Sequence, residues 1–154
     1  MYVLTVPLVM IVLPLLSIGE EHFYRHSTLP LMSLVGKWFV FWGAGIRLFA
    51  AGLSQLLHPR FTAEEILGIR SEDSLLFVRE LGAANLGAGI VGIASLAKPS
   101  FVLPAAVAAA VFFGIAGIRH ATDRRGSRKQ DIAIIANLFL SLVLVTYVGS
   151  AGLS

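Results

Sequence analysis

The sequence has no cysteine and is poor in charge. The absence of cysteine excludes disulfides, thiolate metal sites and iron–sulfur ligation. Charged residues make up 14% of the 154 positions, whereas hydrophobic residues make up 56%. Soluble domains carry about 25% charged residues. A deficit of this size, combined with several long uncharged runs, indicates an integral membrane protein.

Common catalytic motifs are also missing from the sequence. It contains no G-x-S-x-G elbow, no Walker A motif and no H-E-x-x-H pair. The stretch "GAGIVG" follows an acidic helical start rather than a strand, so it does not predict a dinucleotide loop. The basic residues cluster in one short loop, which favours membrane topology over nucleic-acid binding. We therefore expect a non-enzymatic protein with no nucleic-acid partner, and no cofactor is indicated.

Five apolar runs reach the roughly 20 residues that cross a bilayer. Because only helices satisfy the backbone of such runs in lipid, we predict an all-α integral membrane protein. Its fold would be a bundle of five transmembrane helices, in a single domain covering residues 1–154. The predicted spans are Tyr2–Gly19, about Ser33–Leu57, about Ser74–Ala97, Phe101–Ile118 and Ile132–Gly149.

Local signals mark some of the ends of these elements. Asp131 is the predicted N-cap of the fifth span, and Pro99 and Pro104 suit the start of the fourth. The segment "HPRFTAEEILGIRSED" predicts a short interfacial helix, in which Thr62 and Glu65 have the spacing of a capping box.

The distribution of lysine and arginine between the loops predicts the orientation. One side carries seven basic residues, namely Arg60, Arg70, Arg119, Arg124, Arg125, Arg128 and Lys129. The other side carries Arg25, Lys98 and, near a span end, Lys37. This places the N-terminus in the cytoplasm and the C-terminus outside, in a bacterial inner membrane. The last four of the seven also predict a contact with anionic lipid.

Polar residues inside the second and third spans are the first candidate site. Arg47 would lie about 15 Å deep and Glu80 about 9 Å deep. An isolated arginine at mid-bilayer costs at least ~2.5–3.5 kcal/mol. We therefore expect Glu80 to point inward and to pair with Arg47 or Arg79, close to Asn85. Such a group could serve as a structural pair or as a proton or substrate site, and the sequence leaves both readings open.

Glycine and alanine recur along the same two spans. Small residues at four-residue spacing allow helix backbones to approach closely, so we predict tight packing, and self-association is a further expectation. The pairs Ala83/Gly87 and Ala88/Gly92 have this spacing, and further glycines along the two spans are Gly36, Gly43, Gly45, Gly52, Gly82 and Gly89.

The segment "GEEHFYRH" after the first span is the second candidate site. His22 and His26 share a helical face, and with Glu20 and Glu21 they could hold zinc or copper. Interfacial side chains of these types also serve as headgroup anchors.

Residues 36–93 resemble a family of small bacterial membrane proteins of unknown function and, more distantly, the DoxX-like four-helix membrane proteins. The resemblance rests on a glycine-rich span ending in "HP", the turn at Ile69, and the run from Glu80 to Gly87. It implies a core of four helices, the second to the fifth, with the first helix added. Some DoxX-like proteins are similar to small subunits of membrane oxidoreductases that pass electrons to quinone, so the resemblance implies an accessory role at most.

Three functional hypotheses follow from these observations. The first is a non-enzymatic accessory subunit of a membrane protein complex, or a binder of a small amphiphile such as quinone or lipid. The second is a small transporter or proton-coupled carrier built on Arg47, Glu80 and Asn85. The third is a metal-dependent membrane enzyme that uses the histidine segment.

Overall fold

The computed structural model of the protein describes residues 2–123 and 128–151. Within these ranges there is no strand, and five helices are long and apolar enough to cross a membrane. The helices are α1 (Leu4–Tyr24), α2 (Leu31–Leu57), the short α3 (Phe61–Ile66), α4 (Asp73–Ala94), α5 (Val102–Thr122) and α6 (Arg128–Ala151). The predicted fold class is therefore confirmed.

Wide π-helical turns interrupt the first two long helices. They cover Leu8–Val12 and Glu20–Tyr24 in α1 and Val40–Ile46 in α2. The first of them lies just before Pro14, which has no N–H to donate and whose ring crowds the preceding turn of a regular helix. A wider turn relieves this crowding.

Several predicted helix ends and caps differ from the observed ones; the fourth span, for example, was predicted to end at Ile118, and its helix ends at Thr122. α1 continues through Glu20–Tyr24, so the acidic-histidine segment begins inside the helix. α6 begins at Arg128, so Asp131 lies in its first turn and is not the N-cap. The capping box is also wrong, because Thr62 is buried within α3 and the N-cap position belongs to Arg60, with no side-chain cap bond.

The prolines at the start of the fourth span behave as predicted. Pro99 opens a 3₁₀ turn that leads into α5, and Pro104 lies in the first turn of α5. A proline is tolerated there because the first N–H groups of a helix have no partner within the helix.

The bundle is built from two close helix pairs, α2 with α4 and α5 with α6. α1 packs against α2 and α6, whereas α4 and α5 make few contacts although a short turn joins them. The two pairs meet mainly through α2 and α6, where buried side chains such as Val40, Phe113 and Leu140 form the core. This arrangement leaves space between the pairs.

Glycines bring α2 and α4 together, as the sequence predicted. A Cβ atom on Gly45 would lie 2.8 Å from the Gly92 carbonyl carbon, and one on Gly52 would lie 2.5 Å from the Leu86 backbone nitrogen. Neither position can accept a larger residue without moving the backbones apart. Gly87, by contrast, faces open space.

Candidate functional site

A chamber of about 590 Å³ with several polar groups in its walls lies between the two helix pairs. It is at the end of the bundle where α2 ends and α4 begins, which we call the basic end. α3 and the residues that follow it form one wall. The polar and charged residues that line the chamber are Arg47, Gln55, Thr62, Asn85, Arg119, His120, Asp123, Gln130 and Asn137.

Arg47 is the charged residue at the inner limit of the chamber. It lies roughly ten residues before the end of α2, or about 15 Å along the helix axis. Its Nε atom is buried and has no hydrogen-bond partner in the part of the chain that the structure describes. Among the described residues the guanidinium forms no ion pair, since the four ion pairs found there involve other side chains. A buried donor without a partner is rare and destabilising, so this group requires an explanation.

Buried amides line the chamber close to Arg47. Asn85 is 5% exposed, and its Nδ2 donates to Gln55 Oε1 at 2.8 Å. Arg47 and Gln55 are eight residues apart and thus share a face of α2. The bond leaves the Gln55 NH₂ group and the Asn85 carbonyl oxygen available to a further partner. Asn137 of α6 is only 6% exposed and also lines the chamber.

The predicted position of Glu80 is wrong. Glu80 and Arg79 are both exposed on the outer face of α4, and Glu80 pairs with neither Arg47 nor Arg79. Because Glu80 and Asn85 are five residues apart, they are separated by roughly 140° around the helix. Asn85 faces α2, so Glu80 must face away from it.

A smaller groove of about 220 Å³ adjoins the chamber and is called the α1/α2 groove here. It is mostly apolar, with Val6, Ala50 and Phe61 in its walls. Five residues border both spaces, namely Arg47, Ala51, Gln55, Thr62 and Ile66. Arg47 therefore borders both the chamber and the groove.

At the opposite end of the bundle, Glu21 joins α1 to α2. Lys37 Nζ donates to both Glu21 carboxylate oxygens, at 2.8 and 2.7 Å, and Trp38 Nε1 donates to one of them at 2.7 Å. The Glu21 side chain is 12% exposed and that of Lys37 is 28% exposed. One helical turn deeper, Trp42 Nε1 donates to Ser17 Oγ at 3.0 Å. These hydrogen bonds join α1 to α2 and fix the packing of the two helices.

The structure does not assemble the predicted metal ligands. Glu21 is held by Lys37 and Trp38, while Glu20 accepts a 2.8 Å hydrogen bond from Arg25. That bond raises the pKa of Arg25, so Glu20 is engaged with a permanent cation. Over residues 2–123 and 128–151, no three His, Asp or Glu side chains converge in a way that could hold a metal ion. Glu20, Glu21, His22 and His26 therefore provide no ligand set.

Sequence reasoning missed Gln55, Asn137 and Lys37 as site or pairing residues. A usable signal for Gln55 was its spacing from Arg47. Asn137 could have been found as an uncharged polar residue within the fifth span. Of the predicted lipid-contact residues, Arg124 and Arg125 lie outside the described ranges, as do the side chains of Arg128 and Lys129.

Residues 1–149 match the model of a protein family described as a family of unknown function, DUF6790. The chain belongs to this family. The match covers nearly the whole chain, whereas the resemblance noted from the sequence covered residues 36–93. No curated protein and no solved structure matches the chain.

Proposed function

We propose that this DUF6790 protein is a non-enzymatic membrane protein that binds a small amphiphile in the chamber between its two helix pairs. The observation that carries the proposal is the buried, unpartnered Nε of Arg47. A ligand with a hydrogen-bond acceptor would satisfy this donor. The neighbouring amides of Gln55, Asn85 and Asn137 offer further partners.

The size and lining of the chamber support this proposal. Its volume lies within the roughly 300–1,000 Å³ typical of small-molecule sites. Such sites combine mainly apolar walls with a few convergent polar groups. The chamber has this combination, because Leu48, Phe112 and Phe113 line it together with the amides.

The carrier hypothesis receives less support from the geometry. It requires Arg47, Glu80 and Asn85 to converge, and Glu80 lies on the outer face of α4. Arg47 and Asn85 alone offer no acid that could alternate between protonation states. Binding is therefore the preferred function.

The orientation, the accessory role and the self-association of the protein are proposed from its sequence. We propose that the basic end faces the cytoplasm of a bacterial cell, which the excess of lysine and arginine in its loops supports. The DoxX-like resemblance favours an accessory role beside a membrane oxidoreductase, with α2, α4, α5 and α6 as the four-helix core. Self-association also stays a prediction, because the glycines of α2 and α4 pack within one chain.

Native mass spectrometry of the full-length protein, released gently from its own membrane, tests the proposal. The wild type should retain a small amphiphile. Ala116 lines the chamber, so Ala116→Phe should fill part of it and lose the ligand. Ala88→Phe is the matched control, because Ala88 is exposed on α4. If the chamber variant does not fold, Asn137→Leu removes a polar contact at similar volume.

Two outcomes would count against amphiphile binding in the chamber. One is a wild-type protein that carries no small molecule after gentle release. The other is a ligand that Ala116→Phe and Asn137→Leu retain as fully as Ala88→Phe does.

A further inference from the structure

We infer that the group bound at Arg47 is an oxyanion, a carboxylate or phosphate, carried on a single alkyl chain that lies in the α1/α2 groove. The inference rests on the proposed function and adds to it the charge of the headgroup and the position of the chain.

The charge of the chamber favours an anion. Arg47 and Arg119 line the chamber, and Asp123 is the one carboxylate among its described lining residues. Asp123 lies at the basic end, where it pairs with Arg119 at 3.5 Å. Asp123 therefore compensates Arg119, and among the described residues no carboxylate compensates the charge of Arg47. A neutral acceptor such as a quinone carbonyl could satisfy the Nε donor but would not neutralise this charge.

The donors at Arg47 also suit an oxyanion. A guanidinium presents five N–H donors in a planar fork that matches carboxylate and phosphate oxygens. The Gln55 NH₂ group is left available by the bond from Asn85. It adds a second donor, eight residues after Arg47 on α2. Charge-assisted hydrogen bonds of this kind are about twice as strong as neutral ones.

The α1/α2 groove provides a place for the alkyl chain. It is mostly apolar, it shares Arg47 with the chamber, and its residues Ala50 and Phe61 are exposed on the surface of the bundle. That surface faces lipid in a membrane protein. A chain in this groove would thus stay in an apolar environment while its headgroup reached Arg47.

Matched probes test the inference on the full-length protein in detergent micelles. The probes are oleate and oleyl alcohol, which have the same chain and differ in headgroup charge, with acetate and inorganic phosphate as chain-free competitors. We expect oleate to bind roughly tenfold or more tightly than oleyl alcohol, since loss of a buried charge partner is strongly unfavourable. Arg47→Gln should abolish that difference, whereas Arg60→Gln should preserve it, because Arg60 is exposed and paired with Glu72.

A second variant pair tests whether the alkyl chain of the ligand lies in the α1/α2 groove. Ala50→Phe should weaken oleate binding by narrowing the groove, and Ala88→Phe should not. Thermal unfolding of each variant identifies any that fail to fold.

The outcomes separate this inference from the proposed function. Equal binding of oleate and oleyl alcohol, lost in both cases by Ala116→Phe, would retain amphiphile binding and overturn the oxyanion. Binding of acetate or phosphate as tight as that of oleate would support an anion site and would overturn the proposed contribution of the alkyl chain. If neither oleate nor oleyl alcohol binds, both this inference and the proposed function fail.

Discussion

The link between Glu21 and Lys37 should make a large contribution to the stability of the bundle. In Glu21→Gln one carboxylate oxygen becomes an NH₂ group, while the amide oxygen can still accept from Trp38 and Lys37. Lys37 therefore loses one of its two acceptors and its counter-charge. Lysine is a donor-only group, so the new NH₂ offers it nothing. Removing one partner of a buried pair costs about 3–5 kcal/mol. Because Lys37 is 28% exposed and can partly reach water, we expect a loss of about 2–3 kcal/mol.

The assay is reversible unfolding of the purified protein in mixed micelles, followed by helical circular dichroism. Glu20→Gln is the matched control, because its pair with Arg25 is at least half exposed on both sides and contributes little. Lys37→Met should destabilise about as much as Glu21→Gln. The double variant Glu21→Leu with Lys37→Met should lose much less than the sum, since no unpaired charge remains.

Two results would refute this reasoning. One is a loss of stability for Glu21→Gln no larger than that for Glu20→Gln. The other is additive losses in the double variant, which would mean that Glu21 and Lys37 do not interact.

Two further predictions concern α4 and its contact with α2. Gly52→Ala should lower the free energy of unfolding by about 1–3 kcal/mol, the usual effect of overpacking, because the new Cβ would meet the backbone of Leu86 at 2.5 Å. Gly87→Ala is the control and should show no loss, because its Cβ would meet nothing within 4 Å. Equal effects of the two variants in the same unfolding assay would argue against the glycine contact. Glu80→Gln should leave the free energy of unfolding and oleate affinity unchanged, because Glu80 is exposed on the outer face of α4 and forms no ion pair with another described residue. A loss above about 1 kcal/mol, typical of a hydrogen bond, would show that Glu80 has an interaction that the structure lacks.

The candidate site was only partly predictable, for a geometric reason. Arg47 and Asn85 were identified because polar groups are costly in lipid, and both line the chamber. Glu80 was assigned to the same site by depth alone, without regard to its direction around the helix. The buried positions of α4, listed from its first turns onward, are Val78, Gly82, Asn85, Gly89 and Gly92. Their alternating spacing of four and three residues defines the inner face, and Glu80 is not on it.

Helix ends were harder to predict than helix positions. Hydropathy identified each span, but it placed the end of α1 at Gly19 because charged residues follow. The helix continues to Tyr24, because the Glu21 carboxylate accepts hydrogen bonds from Lys37 and Trp38 of α2. A charge that is paired in the tertiary structure can remain inside a helix that crosses the membrane.

The sequence by itself determined that this chain is a bundle of five membrane-crossing helices with a tight glycine contact between α2 and α4. The reason is that lipid offers no hydrogen bonds to a backbone, so long apolar runs must be helical, and close helix contact requires small residues. Only the tertiary structure decided which polar groups meet. The rotation of each helix and the close pairing of α5 with α6 left Arg47 in a chamber with buried amides, and the rotation of α4 turned Glu80 away from it.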